Sequence, residues 1–230
     1  MFKIVNNNQQ VQLSPSSLNT FLECPRCFWL YKAKGIHRPR GPMSSLPSGM
    51  DLLIKDYFDK YRAKGELPPG LRGKVRGKLL SDQKLLNQWR NRQGGLYYKD
   101  TKLNAVLLGL LDECFVDNGF YIPVDYKTRG FALKEDSEKY YQNQLNCYTL
   151  LLEENGFKTP AFGYLIFYIP QEIREDGIVK FSIEPIKVKT DPQEARKVFQ
   201  EAVELLRGPV PASHSECEFC SWSNDWLNFK

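Results

Sequence analysis

The sequence predicts an α+β fold, and three observations carry that prediction. Apolar residues recur at helical spacing near the start of the chain. The period then changes in the middle, where Val- and Leu-rich stretches flank a hairpin signal, Asp117-Asn118-Gly119. The resulting order is helices, hairpin, helix, strands, helix, which is not a succession of βαβ units. The chain has 230 residues, 42% of them apolar and 26% charged, with a formal net charge of +5. These fractions belong to a folded chain, and the length suits a single domain. The apolar run Ala105–Leu111 is too short to span a bilayer. Met1–Gln12 has no apolar core before a small-residue cleavage site, so a cytosolic location is expected.

Ser14 reads as an N-cap with Pro15 in the first turn, and Leu18, Phe21, Leu22 and Phe28 follow at roughly helical spacing. That reading places Cys24 inside the helix. Lys34 to Ser48 reads as an irregular basic connector. Helices are then expected over Gly49–Ala63 and Ser81–Arg92, with Pro68-Pro69-Gly70 as a breaker between them. Ala105–Val116 and Phe120–Thr128 read as strands, and Asp136–Asn155 as a helix closed by Gly156. Ala161–Ile169 and Ile178–Val188 form a second hairpin. Thr190-Asp191-Pro192 opens a helix that Gly208 and Pro209 end, and Pro211–Lys230 shows little regular pattern.

The first hairpin holds the strongest chemical signal. With Asn118-Gly119 as the turn, Asp117 pairs with Phe120 and paired positions sum to 237. Asp112 then lies opposite Asp125, with Cβ atoms about 4.5–5.5 Å apart on one face. Lys127 shares that face because side chains alternate along a strand, whereas Glu113 points the other way. Two carboxylates so close repel each other, and a bound divalent ion offsets the repulsion. With a neighbouring ammonium, they suit metal-assisted phosphodiester hydrolysis. Against this stands the plainer reading of a solvated sheet face, which the flanking Leu110, Leu111, Cys114 and Phe115 disfavour.

These segments resemble the PD-(D/E)XK nuclease superfamily in its RecB-like branch, which includes RecB and AddB nuclease domains and CRISPR-associated RecB-type exonucleases. Leu13 to Leu18, with Phe21, Cys24, Pro25 and Phe28, resembles the opening helix of that branch. Gly109–Asp112 resembles its G-x-x-D strand, Asp125-Tyr126-Lys127 its (D/E)-x-K element, and Gln144 with Tyr148 its Q-x-x-x-Y motif. The resemblance implies a restriction-endonuclease-like core, a mixed sheet flanked by helices, at residues 96–190. An N-terminal helical region (1–95) and a C-terminal segment (191–230) would complete one nuclease domain. It implies Asp112, Asp125 and the Tyr126 carbonyl as ligands of Mg²⁺ or Mn²⁺, Lys127 as the group assisting the nucleophile, and Gln144 and Tyr148 as residues lining the site. It further implies a DNA exonuclease acting on single-stranded ends in DNA repair, with a helicase or CRISPR/recombination partner. The branch usually carries G-x-x-x-H on the helix before the hairpin, and here Gly49 is followed by Leu53 at the matching position. Asp51 is the candidate substitute, its plainer role being a first-turn acid favoured by the helix dipole.

Six cysteines are too few for a disulfide scaffold of this length, and four form two C-x2-C pairs, Cys24/Cys27 and Cys217/Cys220. Four thiolates complete a tetrahedral metal site or hold an iron–sulfur cluster. The resemblance implies a 4Fe–4S cluster, usually held by one N-terminal and three C-terminal cysteines. Here no cysteine follows Cys220, Trp222 and Trp226 occupy that stretch, and the two-plus-two spacing also suits zinc. Cys114 and Cys147 read as buried thiols. Lys32, Lys34, Arg38 and Arg40 form one basic group. Arg72, Lys74, Arg76 and Lys78 form another, one-sided if extended and able to follow a phosphate backbone. Trp89, Tyr97 and Tyr98 are candidate base-stacking residues or core. Two rival readings stay open: a nucleic-acid-binding module without catalysis, and a zinc-stabilised interaction protein.

Overall fold

A computed structural model describes residues 10–39, 41 and 45–228, so Arg40 of the first basic group and Met1–Gln9 lie outside the described residues. Strand β1 (Val11–Leu13) leads into α1 (Pro15–Glu23) through a capping box in which Ser14 and Ser17 bond each other's backbone amides. The helix stops at Cys24, which is extended (φ −160°, ψ 103°), and α2 (Pro25–Lys34) starts at once. Cys24 is therefore not inside a helix, as the periodicity suggests; Pro25 forbids the helical conformation at the residue before it. Helix α3 (Ser45–Ala63) begins one turn earlier than the sequence predicts, inside the expected basic connector. Strand β2 (Lys78–Leu79) and α4 (Gln83–Arg90), capped by Asp82, follow.

The expected strand Ala105–Val116 is in fact two strands. A hairpin of β3 (Leu96–Asp100) and β4 (Ala105–Gly109) forms a three-stranded sheet with β1, in the order β1-β4-β3. The chain then leaves that sheet and enters β5 (Glu113–Asp117) of a second one. The end of α4 holds the break: Leu111 N–H donates to the Trp89 carbonyl, and Arg90 Nε donates to the Asp112 carbonyl at 2.8 Å. Groups a continuing ladder would have used are thus taken up by a helix end.

Strand β6 (Phe120–Thr128) returns beside β5 through Asn118 and Gly119, both at positive φ (49° and 81°), the signature of a type I′ turn. A 3-10 turn and α5 (Gln142–Glu154) cross over to β7 (Phe162–Ile173), which runs parallel to β6 and antiparallel to β8 (Val179–Lys189). The sheet β2-β5-β6-β7-β8 is therefore mixed. Helix α6 (Pro192–Arg207), capped by Asp191, packs with α5, and α7 (Glu218–Asn228) forms where the sequence shows no clear pattern.

Alternation along the strands sorts the core into two layers. Ile122, Val124 and Tyr126 of β6, with Tyr164 and Ile166 of β7, pack against Ile54 and Phe58 of α3. Leu165, Phe167 and Ile169 face the other way, with Leu145, Leu151 and Phe199 of α5 and α6. Asp125 and Lys127, one residue out of phase with Val124 and Tyr126, therefore turn toward α5. Trp89 and Tyr98 are buried in the core, Trp89 against Phe157 and Tyr121, so neither is free to stack on a base. No helix among the described residues is long and apolar enough to cross a membrane.

Candidate active site

The hairpin ladder runs Asp117↔Phe120, Val116↔Tyr121 and on to Glu113↔Val124, each pair summing to 237. One further step brings Asp112, just beyond the ladder, level with Asp125. On the front of the sheet Asp125 is almost fully buried and Asp112 half-buried. Lys127 Nζ ion-pairs with Asp125 Oδ2 and donates to Gln144 Oε1 at 3.0 Å. Gln144 Nε2 in turn donates to Asp125 Oδ1 (2.9 Å) and to the Tyr148 hydroxyl (2.8 Å). Gln144 and Tyr148 lie one turn apart on α5, so one helix face closes the network over the strand. The Lys127 ammonium also sits over the Tyr141 ring, 4.7 Å from its centre. The sequence-expected residues Asp112, Asp125, Lys127, Gln144 and Tyr148 thus converge.

Asp51, the candidate substitute for the histidine, joins them, together with Lys55, which the sequence reading did not place there. Lys55 of α3 bridges Asp51 Oδ2 (2.7 Å) and Asp112 Oδ1 (2.8 Å). Asp51 and Lys55 are four apart on α3, which puts both on the face turned to the hairpin. Leu53 lies two residues from each, on the other side, and is 64% exposed. Leu53 therefore does not stand at a metal-facing position, and matching Gly49-to-Leu53 to a histidine motif is wrong. The i, i+4 acid–base spacing of Asp51 and Lys55 is the signal that points to the correct face.

The electrostatics follow from burial. Burial pushes the Asp125 carboxyl up to about 6, the Lys127 ammonium opposes that rise, and Asp112 and Asp51 add to it. Burial alone would pull Lys55 down, but Asp112 and Asp51 hold its ammonium above the ordinary lysine range. Tyr148 stays protonated because burial and the two carboxylates, Asp125 and Asp112, disfavour its phenolate. Asp125 Oδ2 is buried against the Lys127 ammonium. A buried carboxylate beside two further carboxylates, Asp112 and Asp51, is a donor set suited to a hard divalent cation such as Mg²⁺ or Mn²⁺.

The back of the hairpin is held as firmly as the front. Glu113, fully buried, accepts from the Tyr126 hydroxyl (2.9 Å) and pairs with Arg62, with Arg90 close by. Arg90 also binds Asp59 (2.8 Å). Burial outweighs these cations and raises the Glu113 carboxyl above its usual range. Asp112 and Asp125 are thus each followed in sequence by a residue of this rear cluster, Glu113 and Tyr126.

A cleft of about 580 Å³ opens beside Gln144 and Tyr148, with Ser14, Asn19, Lys32 and Arg92 on its walls. The second basic group is not a one-sided row. Its segment turns at Gly73 and Gly77 (φ 74° and 89°), Arg72 pairs with Glu66, and Arg76 pairs with Asp117. Away from the hairpin, Cys24, Cys27, Cys217 and Cys220 come together, their sulfur atoms all within 4.8 Å of one another. Cys114 and Cys147 are buried elsewhere.

No curated protein matches the chain. A solved structure described as "Crystal structure of SSO0001" is similar over 95% of this chain and 87% of that chain, at 14% identity and a TM-score of 0.44, too distant to carry an argument. The sequence profile of the PD-(D/E)XK nuclease superfamily matches residues 105–224. That span holds the whole hairpin, the crossover helix with Gln144 and Tyr148, and the second cysteine pair. With an aspartate just before β5, an Asp-x-Lys on β6 and a helix folded over both, the chain belongs to the PD-(D/E)XK nuclease superfamily.

Proposed function

We propose that the protein is a metal-dependent deoxyribonuclease that hydrolyses phosphodiester bonds of DNA, acting on single-stranded ends. The observation that carries this reading is the convergence of Asp112, Asp125 and Lys127 under Gln144, with Asp125 Oδ2 buried against the Lys127 ammonium. Asp112, Asp125 and the Tyr126 carbonyl are the proposed metal ligands, with Asp51 as a third carboxylate from α3. When bound there, a divalent ion supplies Lewis acidity at the phosphoryl oxygen and a hydroxide-like water near neutral pH.

The remaining work falls to the chain's own groups. Gln144 accepts from Lys127 and donates to Asp125, so it fixes both side chains relative to each other. Lys127 orients the attacking water and balances charge that develops on the phosphate. Burial of Asp125 keeps bulk water from its carboxylate. The cleft walls, with Lys32, Arg92 and the serine and asparagine side chains, support a path for one strand leading to Gln144 and Tyr148. A helicase or recombination partner and a role in DNA repair or CRISPR pathways rest on the RecB-like resemblance.

A second reading is favoured by one observation. The Lys55 ammonium already bridges Asp51 and Asp112, so a module that binds nucleic acid without cleaving it would look the same. One assay separates the two: end-labelled single-stranded DNA, duplex DNA and RNA incubated with Mg²⁺, with Mn²⁺ or with chelator. Metal-dependent loss of labelled single-stranded DNA is the expected result. Binding with no cleavage in either metal would establish the second reading instead.

A further inference from the structure

The four clustered cysteines have a geometry that discriminates between the metal centres their spacing allows. A zinc ion with four thiolates at about 2.3 Å puts neighbouring sulfurs about 3.8 Å apart, the edge of a regular tetrahedron. The Cys24 and Cys220 sulfurs are 3.6 Å apart, and those of Cys27 and Cys217 are 3.7 Å apart. In a 4Fe–4S cluster each thiolate binds a different iron at the corner of a cube, so the sulfurs must stand well apart with the whole cluster between them. Here all four lie within 4.8 Å, which fits one ion and does not fit a cube. His214 lies three residues before Cys217, yet its ring is not among the grouped ligand atoms.

The surroundings suit a small, charged, closed centre. Cys24 caps the N-terminus of α2, and its sulfur accepts from the Cys27 amide at 3.4 Å. Cys217 precedes α7 and Cys220 lies in that helix's first turn. Each C-x2-C pair thus sits at a helix N-terminus, where amides and the helix dipole favour negative sulfur. One dication with four thiolates leaves a double negative charge. Arg38 lies beside it, its guanidinium over the Phe219 ring at 4.9 Å and its Nε buried without a hydrogen-bond partner. The same guanidinium is bonded to the Cys27 thiol and to Glu23 (2.6 Å), so a cation already stands at the sulfur cluster. All four cysteines are buried, as structural zinc sites are, and no fifth ligand position is needed.

We propose that Cys24, Cys27, Cys217 and Cys220 hold one tetrahedral zinc ion, and not the iron–sulfur cluster that the RecB-like resemblance implies. Loading requires four thiols to lose their protons to solvent and involves no change of oxidation state. The inference stands apart from the nuclease reading, because it is read from metal content without any substrate.

The test uses the full-length protein purified without oxygen and analysed for zinc, iron and acid-labile sulfide. The expected result is about one zinc per chain, a colourless solution and no labile sulfide. Cobalt added to the chelator-stripped protein should give the visible bands of a tetrahedral four-thiolate site. Cys27→Ser should lose that four-thiolate spectrum, and Arg38→Met should keep it but release zinc to a competing chelator several-fold faster. Iron and labile sulfide in equal amounts, with a brown colour, would overturn the proposal even in an active nuclease. So would a protein carrying neither metal that fails to take up zinc or cobalt. If Cys27→Ser does not fold, the metal content of the unmodified protein still decides.

Discussion

Asp125 is a carboxylate in a position that burial makes costly, held there by one ammonium and one amide. Asp125→Asn removes the charge and keeps the shape, and Lys127→Ala removes the cation. Either change is expected to lower metal-dependent cleavage by at least about a hundredfold, the scale of losing a group that acts at the reacting phosphate. Nucleic-acid affinity should change little, since most affinity comes from backbone contacts elsewhere. Retention of activity within a few-fold in either variant would remove these residues from the chemistry. The α3 helix offers a sharper contrast. Asp51 faces the site and Leu53 faces solvent, so Asp51→Ala should raise the Mn²⁺ concentration needed for half-maximal cleavage several-fold. Leu53→His should leave that titration curve where it was. A shift with Leu53→His and none with Asp51→Ala would mean that α3 presents its other face during catalysis.

Between residues and the whole, the decisive element is α5, which lies across the sheet and delivers Gln144 and Tyr148 to Asp125. Its approach is close at Gly109, where a Cβ would come within 2.3 Å of the Leu151 side chain and 3.6 Å of the Tyr148 ring. The glycine of the G-x-x-D pattern is thus explained by packing. Gly109→Ala is expected to destabilise the fold by about 1–3 kcal/mol, the usual cost of overpacking. It should also lower cleavage beyond what thermal melts account for, because Tyr148 lies on the displaced face. An unchanged melting temperature with full activity would show that α5 adjusts freely. At this scale the sequence is legible where local chemistry decides. Asn118-Gly119 set the turn, the turn set the register, and the register put Asp112 and Asp125 level. It is illegible where partners lie on other elements. The partnership of Lys55 with Asp112 spans α3 and the hairpin, and the break after Gly109 depends on bonds from the end of α4. The short strands β1 and β3 are defined by pairing with β4, not by a pattern of their own.

Across the molecule, the cysteine pairs join α2 to the start of α7, and Cys27 and Cys217 stand 190 positions apart. Closing so long a loop removes unfolded-state freedom worth about 5 kcal/mol in the chain-entropy picture. Cys217→Ser is therefore expected to lower the melting temperature far more than Cys147→Ser, which alters one buried thiol at about 1–2 kcal/mol. Metal removal by a strong chelator should mimic the first variant and not the second. Equal melting temperatures for the two variants would show that the clip adds nothing to stability. The rear cluster makes a comparable demand on the core. Glu113→Gln leaves Arg62 buried with only the longer ion pair to Asp59 (3.3 Å), and loss of one partner from a buried pair costs up to about 3–5 kcal/mol, read from thermal melts.

The cysteine clip also decides how the molecule bears load. With an ion in place, tension entering near Cys24 and leaving near Cys220 runs through sulfur–metal bonds and bypasses the sheet. The hairpin that carries Asp112 and Asp125 then lies in a slack ring. Pulled in an optical trap from its two ends, the protein should first lose β1 and α1, which lie outside the ring, then rupture at the metal, and only afterwards should the catalytic sheet extend.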